Sequence, residues 1–114
     1  METMASTNPY SLPKEVAEVS SRRGGRILAA RKVRRWRQQD LANRTGYSLV
    51  TIRAVEKGDP RTSLGTYLHV LWVLGLVREV ELVADPGLDR DGLSLALDAE
   101  RKRVYLPRKP KDDF

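Results

Sequence analysis

The chain has 114 residues, enough for one domain with a single modest core, and 21 basic against 15 acidic residues give it a net charge of +6. It has no cysteine and only one histidine, which excludes disulfide bonds, thiolate zinc sites and paired-histidine metal sites. No apolar run is long enough to span a membrane, and the N-terminus lacks an apolar signal core. We therefore expect a cytoplasmic protein without a metal ion or cofactor.

The first part of the chain, residues 1–23, is predicted to be a partly disordered N-terminal extension. Pro13 is a plausible first helical residue, but the apolar support that follows it favours only a short helix to about Ser20. Gly24 and Gly25 then come in succession. Because glycine is a poor helix former, we expect the pair to break this helix.

A basic helix is predicted from Gly25 to Trp36, with a roughly helical pattern of apolar residues. The predicted inward residues are Ile27, Leu28, Ala30 and Trp36. No acidic residue interrupts the basic residues of this region, which are Arg22, Arg23, Arg26, Arg31, Lys32, Arg34, Arg35 and Arg37. A field of this sign attracts a phosphate backbone, although a basic protein without a nucleic-acid role remains the alternative.

Two short helices joined by a tight turn are predicted next. The first runs from Gln38 to Thr45 and ends at Gly46, which adopts positive φ without a steric penalty. Ser48 is expected to cap the second helix, which runs to Lys57 and stops at Gly58. The predicted inward residues are Leu41, Ala42, Ile52 and Val55.

The remaining positions of these two helices are expected to face solvent. They are Gln38, Gln39, Asn43 and Arg44 on the first helix, and Leu49, Val50, Thr51, Arg53 and Ala54 on the second. Bare aliphatic side chains at an exposed helix start suit a surface that meets thymine methyl groups in a major groove. The alternative is that Leu49 and Val50 pack under a loop or a neighbouring subunit.

A strongly apolar helix is predicted from Leu64 to Leu74, with Gly75 after its end. The residues at core spacing are Leu64, Leu68, Leu71 and Leu74. A shorter amphipathic helix, terminated at Asp85, is expected to carry Leu76, Val77, Val80 and Val83. Its apolar face is a candidate contact with a partner subunit.

The last segment, residues 86–114, gives no single secondary structure. Leu93, Leu95 and Leu97 alternate as in a strand, whereas Leu93, Leu97 and Val104 would line one side of a helix. A basic, proline-containing tail follows. It is either solvated or a partner-binding segment.

The central region resembles the Xre/Cro helix-turn-helix family, without gaps from about Ile27 to Gly75. The residues that carry the resemblance are Gln38, Gln39, Asp40, Leu41, Ala42, Gly46, Ser48, Thr51, Ile52, Glu56, Gly58, Leu74 and Gly75. The resemblance implies an all-α chain with a lambda-repressor-like five-helix domain over residues 24–85. Residues 86–114 would form a C-terminal extension.

The same resemblance assigns roles to individual residues. It implies a recognition helix from Ser48 to Lys57, with Leu49, Val50, Thr51 and Ala54 facing base edges. Gln38 would contact phosphate, and Arg31 would form a salt bridge with Glu56 beneath the recognition helix. Arg53 and Arg61 flank the motif helices, where cationic side chains meet phosphate.

Two features depart from the family. Arg37 stands where the family usually has a Thr or Ser cap, so the first motif helix lacks a side-chain cap worth about 1 kcal/mol. Leu49, Val50 and Ala54 replace the usual polar readers, so base specificity would depend more on methyl contacts, Thr51 and DNA shape.

A narrower similarity, to the HipB-like antitoxins, lies in Glu56 to Pro60, Ser63 to Tyr67 and Leu71 to Leu76. It implies a repressor of its own operon that binds a HipA-type serine/threonine kinase toxin. The DNA partner is expected to be a palindromic operator in double-stranded DNA, because a two-fold operator mirrors a two-fold dimer. We expect a homodimer with an interface that includes Trp72, Val77, Val80 and Val83. The alternatives are a stand-alone Xre-type regulator and a protein-binding module that has lost DNA affinity. The residues expected of an enzyme site are missing from the sequence.

Overall fold

The structure, a computed structural model, describes residues 11–105, and within this range it is all helical. The helices are α1 (Lys14–Val33), α2 (Gln38–Thr45), α3 (Leu49–Lys57), α4 (Leu64–Leu74), a 3-10 helix (Val77–Leu82) and α5 (Arg90–Tyr105). The predicted all-α class is confirmed for this part of the chain. No helix among the described residues is long and apolar enough to cross a membrane. The chain divides into two compact units after Arg78.

The core of the first unit lies where its four helices meet. Helix α1 packs against α3 and α4, and α2 packs against the same two helices. The buried apolar residues are Ile27, Leu41, Ala42, Ile52, Val55, Val70, Leu71 and Leu74. The inward positions predicted for α2 and α3 are all in this core.

Helix α1 is continuous through Gly24 and Gly25, so the predicted helix break is wrong. Gly24 is buried against the end of α3, where an added Cβ would lie 2.7 Å from the carbonyl oxygens of Val55 and Glu56. The backbones approach closely again nearby, because the Ser20 hydroxyl donates to the Gly58 carbonyl at 2.6 Å. Packing of α1 on α3 thus outweighs the intrinsic cost of two helical glycines, about 1 kcal/mol each.

The predicted ends of α2, α3 and α4 are confirmed. The Ser48 hydroxyl accepts the Thr51 amide at the start of α3, and the Ser63 hydroxyl accepts the Thr66 amide at the start of α4. The residues that close the three helices are Gly46, Gly58 and Gly75, all in the left-handed conformation. Local capping chemistry therefore determines these boundaries.

Five predicted inward residues lie outside the buried core, and two of them, Ala30 and Leu68, are half-buried. Leu64, at the first turn of α4, is 68% exposed, because it lies about 10 Å along the helix axis from the buried Leu71. Leu28 is only half-buried, and Trp36 lies beyond the end of α1 in the connection to α2. The buried residue that the prediction omitted from α4 is Val70.

The second unit begins at Glu79. The chain after Gly75 forms a 3-10 helix in place of the predicted amphipathic α-helix, and Pro86 prevents this short segment from continuing as a regular helix. Helix α5 then resolves the ambiguity at residues 93–104 in favour of a helix. The basic tail from residue 106 onward and the N-terminal residues 1–10 lie outside the described part of the chain.

Candidate nucleic-acid interface

Helix α3 presents a partly apolar surface at its N-terminal end. Val50 is 73% exposed, and Arg53 and Lys57 are exposed along the same helix. Leu49 is half-buried, as are Thr51 and Ala54, so the prediction that all five outer residues face solvent is wrong in part. Leu49 is partly covered because it lies one turn before the buried Ile52, on the edge of the inward stripe.

The three-residue turn between α2 and α3 is held by side chains that the sequence interpretation left without a role. The Thr45 hydroxyl donates to the Leu41 carbonyl at 2.9 Å and accepts the Tyr47 amide at 3.2 Å. The Tyr47 hydroxyl lies 3.0 Å from Nδ1 of His69 on α4, with the two rings edge to face. The turn is thereby tied to α4 as well as to α2.

The predicted ion pair of Arg31 and Glu56 is present beneath α3. Arg31 Nε lies 2.6 Å from Glu56 Oε2, and the two side chains are only 9% and 2% exposed. A second guanidinium nitrogen donates to Oε1 at 3.2 Å, and the third donates to the Trp36 carbonyl at 2.7 Å. A buried pair with this many hydrogen bonds fixes α1 and α3 relative to each other.

Gln38 extends this network to the surface. Its amide nitrogen donates to Glu56 Oε1 at 3.0 Å, and its amide oxygen accepts from Arg53 Nε at 3.4 Å. Gln38 is therefore half-buried, which corrects the expectation that it faces water. The family resemblance implies a phosphate contact for Gln38, and the structure shows its side chain joining α2 to α3 and to the exposed guanidinium of Arg53.

The N-terminus of α2 has an unexpected cap. Arg37 carries no acceptor atom, so the predicted lack of an N-cap hydrogen bond from its side chain is correct. The Asp40 carboxylate instead reaches back and accepts the Arg37 backbone amide at 2.7 Å. Hydrogen bonds from the Arg37 side chain and backbone hold the pKa of Asp40 below its ordinary value.

A similar pair follows α3. Arg61 is exposed and donates through its guanidinium to both carboxylate oxygens of Asp59, at 3.1 and 2.9 Å. The Arg61 side-chain hydrogen bonds, followed by its backbone amide, lower the pKa of Asp59. The pairing holds Arg61 in place beside the C-terminal end of α3.

The cluster of basic residues predicted upstream of α2 has two structural classes. Arg31 is buried in the ion pair, and Arg34 donates to the Ala30 carbonyl and to the Leu74 carbonyl at the end of α4. Arg23 is half-buried and donates to the Tyr67 hydroxyl. The exposed members of the cluster are Arg22, Arg26, Lys32, Arg35 and Arg37. Only this second class is available to an external anion.

The residues predicted at a dimer interface differ in exposure. Trp72 is 65% exposed and Val83 is 55% exposed, whereas Val77 and Val80 are half-buried. Trp72 also lies beside the His69 ring, with centroids 6.0 Å apart. Large exposed aromatic residues of this kind are enriched at protein interfaces.

Within the described residues, no group of three or more His, Asp or Glu side chains could hold a metal ion. Comparison of the chain with protein-family models, curated proteins and solved structures gives no match. The functional argument therefore rests on the arrangement of the residues themselves.

Proposed function

We propose that this protein is a sequence-specific DNA-binding transcriptional repressor with a lambda-repressor-like helix-turn-helix domain. In this proposal α2 and α3 are the two motif helices, and α3 enters the major groove. The observation that carries the proposal is the exposed Val50 at the start of a helix whose opposite face is buried and braced by the ion pair. A solvated helix gains nothing from such an aliphatic position, whereas thymine methyl groups would cover it.

The charges around α3 support the same proposal. Arg53, Lys57 and Arg61 are exposed along α3 and just after it, and further exposed cations lie on α1 and before α2. Cations that flank a reading helix neutralise phosphates and set its register, while the residues at its start contact base edges. The proposed base-facing residues are Leu49, Val50, Thr51 and Ala54, with Ser48 at the helix cap. Gln38 is proposed to act at the phosphate backbone partly through its hydrogen bond with Arg53.

A symmetric dimer follows from this function, because one short reading helix covers too few base pairs for useful selectivity. The proposed operator is accordingly palindromic. Trp72, Val77, Val80 and Val83 are the proposed interface residues, and the exposure of Trp72 supports their assignment.

We propose further that the protein is the antitoxin of a HipBA-like operon, which represses its own promoter and binds a HipA-type serine/threonine kinase. This step rests on the similarity of the segments around Glu56 to Pro60 and Leu71 to Leu76. Co-expression with a kinase encoded beside it tests this step: a stable complex supports it. Failure to bind such a kinase, with DNA binding intact, favours the stand-alone regulator.

Selection of bound sequences from randomised duplex DNA tests the DNA-binding proposal. We expect enrichment of a two-fold symmetric site and a binding constant that falls steeply with salt, with a slope that reports the number of neutralised phosphates. Binding without sequence enrichment would contradict base reading by α3. No binding at low salt would favour the protein-binding module.

A further inference from the structure

Arg53 lies on the same exposed side of α3 as Val50. At about 100° of rotation per residue, Val50, Arg53 and Lys57 fall within an arc of about 60°, and all three are exposed. The buried residues of α3 lie outside this arc, and they are Ile52, Val55 and Glu56. A duplex that covers Val50 would therefore also cover Arg53.

The spacing of these two residues matches the spacing of stacked bases. Arg53 is three residues after Val50, which places it about 4.5 Å further along the helix axis. Successive base pairs of a duplex are about 3.4 Å apart. With α3 in the major groove, the two side chains would therefore meet base pairs that are about one or two steps apart.

The Arg53 guanidinium is held, through Gln38, by the buried ion pair beneath α3. Glu56 accepts two hydrogen bonds from Arg31, at 2.6 and 3.2 Å, and a third from Gln38 Nε2 at 3.0 Å. Gln38 Oε1 in turn accepts from Arg53 Nε at 3.4 Å. A carboxylate only accepts hydrogen bonds and a guanidinium only donates them, so the glutamine amide fits between them in one orientation.

The hydrogen bond to Gln38 uses only the Nε edge of the guanidinium. Among the described residues, Nη1 and Nη2 of Arg53 have no hydrogen-bond partner. A planar fork of two N–H groups matches the O6 and N7 acceptors of guanine, whereas adenine has a donor in place of O6. Arg61 differs from Arg53, because its guanidinium binds both carboxylate oxygens of Asp59.

We propose that Arg53 reads a guanine of the operator through Nη1 and Nη2, and that Gln38 is the positioning residue that holds the guanidinium for this contact. The guanine lies within about two base pairs of the thymine that Val50 contacts. A side chain held in advance loses less conformational freedom on binding than a free one, which strengthens the contact. The inference rests on the proposed function and adds to it a base-specific role for Arg53.

Binding constants on two duplexes test the guanine contact. The first duplex carries the selected operator, and the second has A·T in place of the G·C pair in one half-site. The wild-type protein should bind the second duplex about 5- to 150-fold more weakly. Arg53→Ala should bind the two duplexes equally, because it has lost the group that distinguishes them.

Arg61→Ala is the matched control, since it removes an exposed arginine from the end of α3. It should weaken binding to both duplexes and keep the wild-type ratio of the two constants, because a phosphate contact carries no sequence information. An Arg53→Ala protein that keeps the wild-type ratio, as Arg61→Ala does, would overturn the proposal.

Gln38→Met tests the positioning role, because methionine has a similar length and lacks both the amide donor and the amide acceptor. The charge of Arg53 remains, so the salt slope should be unchanged, whereas the ratio of the two binding constants should fall about 2- to 10-fold. This ratio does not depend on the folded fraction, since both constants are measured with the same protein. A wild-type ratio in Gln38→Met would overturn the positioning of Arg53 by Gln38.

Failure of this inference is distinguishable from failure of the proposed function. A selected operator that has no guanine within about two base pairs of the thymine would overturn the inference and leave base reading by α3 standing. A guanine that the wild-type protein exchanges for adenine without loss of affinity would do the same. The absence of any sequence enrichment would overturn both.

Discussion

Two adjacent glycines in α1 give opposite predictions for the same substitution. At Gly24 an added Cβ would lie 2.7 Å from two carbonyl oxygens of α3 and closer still to the Gly58 amide nitrogen, whereas ordinary contact begins at 3.4 Å. These are backbone atoms and cannot rotate away, so α1 and α3 must separate. Overpacking typically costs about 1–3 kcal/mol and can cost more. We expect Gly24→Ala to lower the free energy of unfolding by about 3 kcal/mol or more.

Gly25 is the matched control, because a Cβ added there would meet no atom within 4 Å. Replacing an exposed helical glycine by alanine gains about 0.8–1 kcal/mol, so Gly25→Ala should stabilise the protein. Urea denaturation followed by the helical circular dichroism signal measures both changes, and an unchanged m-value keeps the comparison valid. A Gly24→Ala variant within 0.5 kcal/mol of the wild type, on the order of the measurement error, would refute the close approach of the two helices.

Two further predictions concern charged groups. Glu56→Ala should lower the free energy of unfolding by about 3–5 kcal/mol because it leaves the buried Arg31 charge unpaired, while Glu18→Ala, at an exposed position of α1, should change it by less than about 0.5 kcal/mol. Equal losses of stability for Glu56→Ala and Glu18→Ala in thermal denaturation would show that the ion pair is solvated. Arg61→Ala should raise the pKa of Asp59 toward its ordinary 3.8, as followed by NMR titration. Because the folded-state pKa of Asp59 is lowered, its carboxylate contributes stability at pH values above its ordinary pKa, and this contribution is lost as the pH falls through the lowered pKa. An Asp59 pKa unchanged by Arg61→Ala would contradict the pairing.

Sequence patterns predicted the boundaries of α2, α3 and α4 because local chemistry determines them. Ser48 and Ser63 carry capping hydroxyl groups, and Gly46, Gly58 and Gly75 close the helices in a conformation that other residues rarely adopt. The ion pair of Arg31 and Glu56 was also predictable, through the family resemblance. Each capping serine and each closing glycine lies within a few residues of the helix end that it determines.

The features that sequence patterns did not predict depend on contacts between distant segments. Gly24 resembles a helix breaker until the backbone of Val55 and Glu56 is placed against it. Gln38 resembles a solvated side chain until α3 brings Glu56 and Arg53 to its amide.

Base reading by α3 is tested most directly by comparing two exposed valines. Val50, at the start of α3, is 73% exposed, and Val33, at the end of α1, is 77% exposed. On the selected operator, Val50→Ala should weaken binding by about 1–3 kcal/mol, whereas on random duplex DNA it should change nothing. Val33→Ala should alter neither affinity, and Arg61→Ala should weaken both and reduce the salt slope by about one. Equal losses for Val50→Ala on operator and random DNA would mean that α3 does not read bases.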